Sequence, residues 1–391
     1  MPLKIAYITD ERYPSVHTDT QQVIKTAQGL GKQGCEVDLI LPKMARHVLL
    51  GRGGVKRRIC DYYNVRGDFE VRPILTWPAS DLRAEKLFHG IVSPLAATFG
   101  KYDVVYTRNL IPLRIAASLG APVLFETYRA LPKSNPRAWR TVKVAMGGSR
   151  FVGISTHSAY SRQIMIDDGV SPDLIAAVPN GYDPDDFDAV EDRDTLRSIK
   201  GLPLDRQICV YTGHIRPDKG VDSLLDLAED RPEALFLLVG GDRDDVGGLR
   251  SSVEGRGLDN VRLEGRVSLT EVARYLSLSD VLLLPPTAKP LMSHGNTVLP
   301  MKTFTYLAAG RPILAPDLLD TEGILVNERN SLRVAPDDRR AASDALERLL
   351  GNAELCRRLG ENAREDSTRY TWDERARRMV SFIEDRLSRM A

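Results

Sequence analysis

Short apolar runs alternate with amphipathic segments along most of this chain. The apolar runs form two series of strand length, at residues 5–9, 37–41, 104–107, 123–126 and 151–154, and at residues 208–212, 235–239, 281–284 and 313–315. Between them lie helix-period segments such as 20–30, where Val23, Ile24, Ala27 and Leu30 share one face. This alternation predicts parallel sheets with helices on both faces.

A polar segment separates the two series. Residues 179–184 read Pro-Asn-Gly-Tyr-Asp-Pro, and acidic residues follow up to Asp194, which is typical of an interdomain linker. We therefore expect two Rossmann-like domains, an N-terminal one over residues 1–185 and a C-terminal one over 186–371. The helical segment 372–391 is expected to pack back on the first domain. Ligands of open parallel sheets bind outside the carboxyl ends of the strands, so we expect the site in a cleft between the domains.

The overall composition excludes several classes of protein. A net charge of +1 gives no global signal for nucleic-acid binding. The four cysteines are far apart and form neither a zinc pattern nor a disulfide framework, which favours a reducing compartment. No run approaches the roughly 18 apolar residues of a membrane span. We expect a cytoplasmic protein whose contact with a membrane, if it has one, is peripheral.

Cationic residues follow the first strand of the second series. The strand ends at Gly213, Arg216 and Lys219 lie in the loop, and a helix is expected to start near Val221. A phosphate would bind at this end of the strand, where both side chains could reach it. The alternative is an ordinary solvated loop, because surface Lys and Arg are common.

A second cation stands at a predicted helix start. Residues 300–309 form a helix in this interpretation, because Pro300 suits the first position and Gly310 ends it. Lys302 then lies in the first turn, where the helix dipole disfavours a cation by about 0.3–1 kcal/mol. A bound diphosphate would reverse that sign, since helix N-termini bind anions. Alternatively, Lys302 points into solvent at small cost.

Taken in order, these segments resemble the family 4 (group 1) retaining glycosyltransferases of GT-B fold. Residues 213–220 match the family's G-x-x-x-x-x-K-G loop, and the run P-M-K-T-F-T-Y-L-A-A-G-R-P-I at 300–313 is similar to S-P-L-K-L-F-E-Y-M-A-A-G-R-P-I. Further agreement lies at 179–183, 260–267, 279–285 and 370–372. The resemblance implies an α/β protein with two Rossmann-like domains whose parallel sheets face a central cleft. It also implies a UDP- or GDP-sugar donor, a glycan or lipid-linked acceptor, and transfer of a hexosyl-type sugar with retention.

The resemblance also assigns site residues. It implies that Lys219 and Arg216 carry the phosphate charge and that Tyr128 orients the sugar. The nucleotide-sugar would be bound by Gly213, His214, Gly265, Arg266, Val267, Thr297, Lys302 and Thr305. Neither a cofactor nor a metal is expected, because basic side chains and a helix N-terminus can stabilise the leaving diphosphate. The D-x-D sequences at 183–185 and 242–244 are interpreted as loop or helix-capping residues.

The sequence departs from the family at four of these positions. Thr297 and Thr305 stand where the family has glutamates, His214 where it has arginine, and Tyr128 where it has histidine. Threonine cannot replace a carboxylate, and tyrosine is a poor base at neutral pH. Two alternatives to the transferase therefore stay open: a non-catalytic GT-B subunit that binds nucleotide or a partner enzyme, and a nucleotide-sugar epimerase of related architecture.

A basic segment lies in the first domain. Between Leu39 and Cys60 there is no acidic residue. We expect this segment, together with His17, to face an anionic acceptor or an anionic membrane; the alternative is a solvated loop paired with acids elsewhere. His17 and Thr18 are expected to contact donor or acceptor; the alternative is that Thr18 or Thr20 caps the helix that follows. The candidate residues of the segment are Lys43, Arg46, Lys56, Arg57 and Arg58.

Overall fold

The chain folds into two compact α/β units. The computed structural model describes residues 2–43, 45–76, 82–293 and 299–390, without the side chains of 45–49, 75 and 293. One unit comprises Met1–Asn180 and Trp372–Ala391, and the other Gly181–Thr371. Each has one parallel sheet with helices on both faces, which confirms the predicted fold class.

The first unit is built on a seven-stranded parallel sheet in the order β3-β2-β1-β4-β5-β6-β7. Its strands are β1 (Lys4–Ile8), β2 (Glu36–Lys43), β3 (Glu70–Leu75), β4 (Val104–Thr107), β5 (Val123–Thr127), β6 (Phe151–Thr156) and β7 (Ile175–Ala177). Its helices are α1 (Thr18–Lys32), α2 (Ala45–Tyr63), α3 (Leu82–Phe99), α4 (Leu110–Ser118), α5 (Leu131–Ser134), α6 (Pro136–Met146), α7 (Ala159–Asp167) and α16 (Trp372–Ser388).

The two faces of this sheet bury separate cores. On one face α1, α2 and α16 contribute residues such as Ile24, Ile59 and Met379. On the other face α3, α4 and α6 contribute Ala97, Leu113 and Val142. Because both faces are covered, the central strands are almost wholly apolar, as parallel strands must be.

Helix α1 begins without a side-chain cap. His17 is the N-cap residue, and its side chain accepts no hydrogen bond from the helix. The Thr20 hydroxyl donates to the carbonyl of His17 at 2.6 Å and accepts from the Tyr63 hydroxyl at 2.9 Å. The expectation that Thr18 or Thr20 caps this helix is therefore wrong, because Thr18 already lies inside the helix and the Thr20 hydroxyl is occupied.

Helix α16 returns to the first unit and packs along α1. The approach is close at Gly29, where a Cβ would lie 2.9 Å from the carbonyl oxygen of Trp372. Ala376, Met379 and Ile383 of α16 are fully buried in the core of the first unit. Helix α16 therefore belongs to the same hydrophobic core as β1, at the other end of the sequence.

The second unit has a six-stranded parallel sheet in the order β10-β9-β8-β11-β12-β13. Its strands are β8 (Ile208–Thr212), β9 (Leu235–Val239), β10 (Val261–Gly265), β11 (Val281–Leu283), β12 (Ile313–Pro316) and β13 (Leu332–Val334). Its helices are α8 (Arg193–Ile199), α9 (Asp222–Asp230), α10 (Arg243–Gly255), α11 (Leu269–Ser277), α12 (Lys289–Ser293), α13 (Lys302–Ala309), α14 (Arg339–Leu350) and α15 (Ala353–Ser367). Helix α13 begins at Lys302, two residues after the predicted start at Pro300, with Met301 as its N-cap. Lys302 lies in its first turn and Gly310 ends it in the left-handed conformation, as predicted.

Candidate functional site

Glycines line the carboxyl edge of the second sheet. Gly213 follows β8, Gly240 follows β9, and Gly265 ends β10. The amide of Gly213 donates to the Val239 carbonyl at 2.8 Å, and that of Gly240 to the Gly265 carbonyl at 2.6 Å. Gly240 has φ +126°, and a Cβ there would overlap the carbonyl of Gly213. At this edge of the sheet the backbone of the three glycines is therefore not covered by side chains of their own.

The amino group of Lys302 lies against this edge. A Cβ on Gly213 would collide with Lys302 Nζ, which also lies 3.8 Å from the ring centroid of Tyr211. Burial, and then the charge of Lys219, lower the pKa of Lys302 to about 7. Within the part of the chain that the structure describes, no carboxylate forms an ion pair with Lys302. The position costs the cation its hydration without supplying a counter-ion, so an anionic ligand would stabilise it.

The predicted cationic loop forms a short 3-10 turn, Pro217–Lys219, between β8 and α9. Arg216 and Lys219 each contact the Asp218 carboxylate at 3.1 Å. Gly220 closes the turn with φ +72°, in a position where a Cβ would collide with Thr287. Asp218 therefore neutralises part of the charge that the sequence assigned to phosphate alone.

The cations of the loop and of α13 converge with Arg266. Burial lowers the pKa of His214, and the charges of Arg216, Lys219, Lys302 and Arg266 lower it further. All four cations therefore act on the same imidazole, and the only carboxylate paired with any of them among the described residues is Asp218. The structure thus gathers residues that are distant in the sequence into one anion-attracting cluster at the strand ends. We call these four residues the cation cluster.

An open depression of about 690 Å³ adjoins the cation cluster between β10 and α10. Arg243, Arg250 and Arg266 line it together with Gly241 and Gly265. Asp242 also lies there, but its carboxylate accepts a hydrogen bond from the amide of Asp245 at 3.0 Å and caps α10. Asp242 is therefore a helix cap, as the sequence indicated.

The remaining donor-site predictions have different outcomes. Thr305 lies one turn into α13 and donates its hydroxyl to the carbonyl of Lys302 at 2.9 Å. Val267 is partly buried and packs with Leu299 on the apolar core of the second unit. Thr297 lies outside the described residues. The Thr305 hydroxyl is thus engaged within its own helix, although its oxygen can still accept a hydrogen bond.

A buried carboxylate organises the carboxyl edge of the first sheet. Three donors lie 2.6 Å from Glu126 Oε1: Gln22 Nε2, His157 Nε2 and Arg375 Nη2. Tyr106 donates to the other oxygen. Burial alone would raise the pKa of Glu126, but Arg375 and His157 hold it well below its ordinary value. The sequence did not single out Arg375, which joins α16 to β5 from 249 residues away.

His157 is neutral in this network. Burial lowers its pKa to about 4 despite the adjacent Glu126 carboxylate. Its Nδ1 lies 3.4 Å from the amide nitrogen of Asn180, which assigns Nδ1 as the acceptor and Nε2 as the donor to Glu126. The imidazole therefore holds Glu126 in place as a fixed hydrogen-bond donor.

Tyr128 follows β5 and is surrounded by arginines. Arg129 Nε donates to the Tyr128 hydroxyl at 3.0 Å, and the Arg129 guanidinium lies 5.2 Å from the ring centroid. The Arg108 guanidinium lies 5.8 Å from the same centroid, and the His157 ring 6.3 Å away. Sequence reasoning missed both arginines. Arg108 could have been found, since it directly follows β4 at a strand end, the criterion that identified Arg216.

The basic segment is only partly free of acids. Lys56 pairs with Glu70 at 2.8 Å, so the solvated and paired alternative holds for this residue. Arg57 and Arg58 are exposed on α2, Lys43 ends β2, and the side chain of Arg46 lies outside the described part of the chain. His17 is exposed at the start of α1. The segment therefore presents cations at separate positions of the first unit, and the His17 side chain is exposed at the start of α1.

Two features are absent from the part of the chain that the structure describes. No group of three or more His, Cys, Asp or Glu side chains there is arranged to hold a metal ion. None of the helices described is both long enough and apolar enough to cross a membrane.

Two family models together match most of the chain. The model described as glycosyl transferases group 1 matches residues 192–366, and that described as glycosyltransferase family 4 matches 20–186. A D-inositol 3-phosphate glycosyltransferase of Xylanimonas cellulosilytica is 29% identical over 223 residues, which are 54% of this chain and 51% of that protein. The alpha-D-kanosaminyltransferase of Streptomyces kanamyceticus is 30% identical over 46% of this chain and 45% of its own length. The match thus spans about half the length of these curated relatives.

Solved structures share the fold over the whole chain. Sucrose-phosphate synthase of Thermosynechococcus elongatus superposes with a TM-score of 0.75 at 18% identity, covering 99% of this chain and all of that one. Anabaena HepE, solved in complex with UDP-glucose, gives a TM-score of 0.71 at 16% identity, with 98% and 100% covered. At these identities the likeness establishes the architecture of both units.

Proposed function

Because the chain belongs to the group 1, family 4 glycosyltransferases, we propose that it moves a sugar from a UDP- or GDP-sugar to a glycan or lipid-linked acceptor. The proposal includes retention of the anomeric configuration and no requirement for a metal ion or other cofactor. The relatives named as glycosyltransferases and the neighbour that holds UDP-glucose support it. We place the reaction in the cytoplasm, consistent with four free cysteines.

The observation that carries this proposal is the cation cluster of the second unit. A nucleoside diphosphate is assigned to the space between Lys219 and the N-terminus of α13, with Lys302 beside Gly213. The dipole of α13 favours an anion at its N-terminus, although the amides of Thr303 and Phe304 already donate to the carbonyls of Pro300 and Met301. A side-chain-free strand edge gives the diphosphate access to the backbone, and the depression lined by Arg266 is assigned to the remainder of the nucleotide.

The reaction needs charge stabilisation more than a strong base. The acceptor oxygen forms a bond to the anomeric carbon while the bond from that carbon to the diphosphate oxygen breaks. The diphosphate keeps the electron pair and takes the acceptor's proton. Arg216, Lys219 and Lys302 stabilise the negative charge as it grows, and this preorganised field is the protein's main contribution to the rate.

The first unit is assigned to the acceptor, with Tyr128 orienting the transferred sugar. Arg108 and Arg129 hold the Tyr128 ring and phenol in a fixed position. His17 and the basic residues Lys43, Arg46, Lys56, Arg57 and Arg58 are assigned to an anionic part of the acceptor. The exposure of Arg57, Arg58 and His17 supports this assignment. Lys56 contributes less positive charge to an acceptor, because it already pairs with Glu70.

A nucleotide-binding experiment tests the proposal. Thermal shifts with UDP, GDP, ADP and their sugars identify the base, since binding at 100 times Kd adds about 2.7 kcal/mol of stability. Calorimetry then compares the wild type with Lys219→Ala, which we expect to weaken binding by about 1.5–3 kcal/mol through loss of a charged hydrogen bond. Lys289→Ala is the matched control, because Lys289 is exposed and already contacts Asp222.

The outcomes separate binding from catalysis. Unchanged affinity in Lys219→Ala would contradict the assigned diphosphate position. Tight nucleotide binding without release of nucleoside diphosphate, for every donor and acceptor tried, would identify the non-catalytic subunit instead. Thr305→Glu then shows whether the pocket survives, since restoring a carboxylate at that position should raise affinity for the donor.

A further inference from the structure

Helix α3 exposes a row of large apolar side chains. Leu87, Phe88, Ile91 and Phe99 are 51%, 38%, 40% and 79% exposed. Their spacing places them on one side of the helix, and the sequence between Lys86 and Lys101 contains no charged residue. Single exposed apolar residues are ordinary, but a helical row of this length marks an interaction surface.

Two neighbouring helices extend this surface. Helix α3 packs on α4 and α4 packs on α6, all on the same face of the sheet. Ile111 of α4, Leu119 directly after α4 and Val144 of α6 are also exposed, the last at 71%. The layer α3–α4–α6 therefore presents a broad outer face with apolar side chains on each helix.

The same layer carries cations without matching acids. Between Asp103 and Asp167 the only acidic residue is Glu126, which is fully buried. Exposed Arg114, Arg137 and Arg140 form no ion pair among the described residues. Lys143 is the exception on α6, since it pairs with Asp168 at 3.2 Å. That interval contains Arg108, Arg114, Arg129, Lys133, Arg137, Arg140, Lys143, Arg150 and Arg162.

We propose that the outer face of α3–α4–α6 docks this protein on an anionic membrane. Apolar side chains enter the boundary between lipid headgroups and acyl chains, while the arginines contact headgroup phosphates. A second copy of the chain fits this face less well. A two-fold interface would set the face against itself and bring the unpaired arginines of both copies together without counter-ions.

The surface around α2 differs in charge. Exposed Asp61, Asp68 and Glu70 follow or adjoin its basic residues, and Lys56 pairs with Glu70. The local field there is mixed, whereas that of α4 and α6 has one sign. The α2 cations therefore remain assigned to the acceptor, and the docking face is the one formed by α3, α4 and α6.

Co-sedimentation of the full chain with vesicles tests the docking face. Vesicles of phosphatidylcholine with about one third phosphatidylglycerol are compared with phosphatidylcholine alone, at low salt and at high salt. We expect binding to the anionic vesicles only, weakened by salt. The triple variant Arg114→Glu, Arg137→Glu, Arg140→Glu should bind at least about tenfold more weakly, because each cation near the surface is worth about 1 kcal/mol and reversal adds repulsion.

Two further variants complete the test. Phe88→Ser with Phe99→Ser should also reduce vesicle binding, and a thermal melt of this variant checks that the fold is kept, because Phe88 is only 38% exposed. Lys289→Glu, Arg340→Glu, Arg358→Glu in the second unit should bind vesicles like the wild type, because these exposed residues lie outside the docking face and outside the assigned site. Loss of binding in this second-unit variant alone would overturn the proposal. So would a wild type that ignores anionic vesicles, or one that light scattering shows to be a dimer dispersed by the Phe variants. Turnover is not measured, so failure here leaves the proposed transferase reaction standing.

Discussion

The two units treat charge at their strand ends in opposite ways. In the first unit Glu126 is fully buried and receives hydrogen bonds from a guanidinium, an imidazole, an amide and a phenol. In the second unit four cations act on the imidazole of His214, and among the described residues only Arg216 and Lys219 have a carboxylate partner, Asp218. The charge of Glu126 is balanced by groups of the protein itself, whereas the cations of the second unit lack enough carboxylates among the described residues to balance them.

This difference separates charges that hold the fold from charges that await a ligand. A buried ion pair whose partners are all present becomes costly when one partner is lost. A cluster of like charges destabilises the protein without its ligand, because the charges repel one another. Binding of an anion relieves this repulsion and stabilises the protein. Removing a charge should therefore have opposite effects on stability in the two units.

The largest effect is expected in the first unit. Arg375→Met leaves Glu126 buried without its main counter-ion, so the free energy of unfolding should fall by about 3–5 kcal/mol. Chemical denaturation measures this. Arg377→Met on the same helix is the control, because Arg377 is exposed and its ion-pair partner among the described residues is Glu374. Equal stability of the two variants would show that the network does not hold α16 in place.

The second-largest effect is expected for a variant of the second unit, in which loss of a cation should not lower the stability of the ligand-free protein. Lys302→Met removes a cation whose pKa burial lowers to about 7. Thermal stability without ligand should stay the same or rise, while nucleoside diphosphate affinity falls by about 1.5–3 kcal/mol. A variant that is both less stable and unaltered in binding would assign Lys302 to the fold.

The third expectation sharpens the same assignment through pH. A bound diphosphate favours charged Lys302 and raises its pKa above the value of about 7 in the free protein. Above pH 7 binding must take up a proton, so Kd should rise with pH, by up to about tenfold per unit. Lys302→Arg should flatten the profile between pH 7 and 9, because a guanidinium stays protonated. The same slope in both proteins would exclude Lys302 as its origin.

The smallest effect is expected at Tyr128. Tyr128→Phe removes the hydroxyl that accepts from Arg129 but keeps the ring between two guanidinium groups. Turnover should fall by about tenfold or less, in line with one hydrogen bond of about 0.5–1.5 kcal/mol. Abolished turnover with intact nucleotide affinity would give Tyr128 a direct chemical role.

The strands that were predicted from the sequence and those that were not differ in their position in the sheets. Every central strand was predicted, because a parallel strand buried on both faces is a continuous apolar run. The four strands not predicted are β3, β7, β10 and β13, which are the edges of the two sheets. Edge strands are half exposed and mix polar residues into the pattern, as Arg72 and Pro73 do in β3.

The candidate site was readable where local pattern carries the chemistry. Arg216, Lys219 and Lys302 stand out because a cation next to a predicted strand or helix end has a local meaning. No local pattern identifies Arg375, because its role is to pair with Glu126 and only the folded chain brings these two residues together. Likewise, nothing local announces that Asp218 pairs with both cations of its loop.

The return of α16 fixes the order in which the two units can be finished during synthesis. All of Gly181–Thr371 is made before α16, so the core of the first unit lacks Ala376, Met379 and Ile383 until that helix has left the ribosome. Domains usually fold in the order of their synthesis, but here the second unit can fold first. Until α16 is made, Glu126 lacks the guanidinium of Arg375, so the N-terminal unit is the later of the two to complete its core.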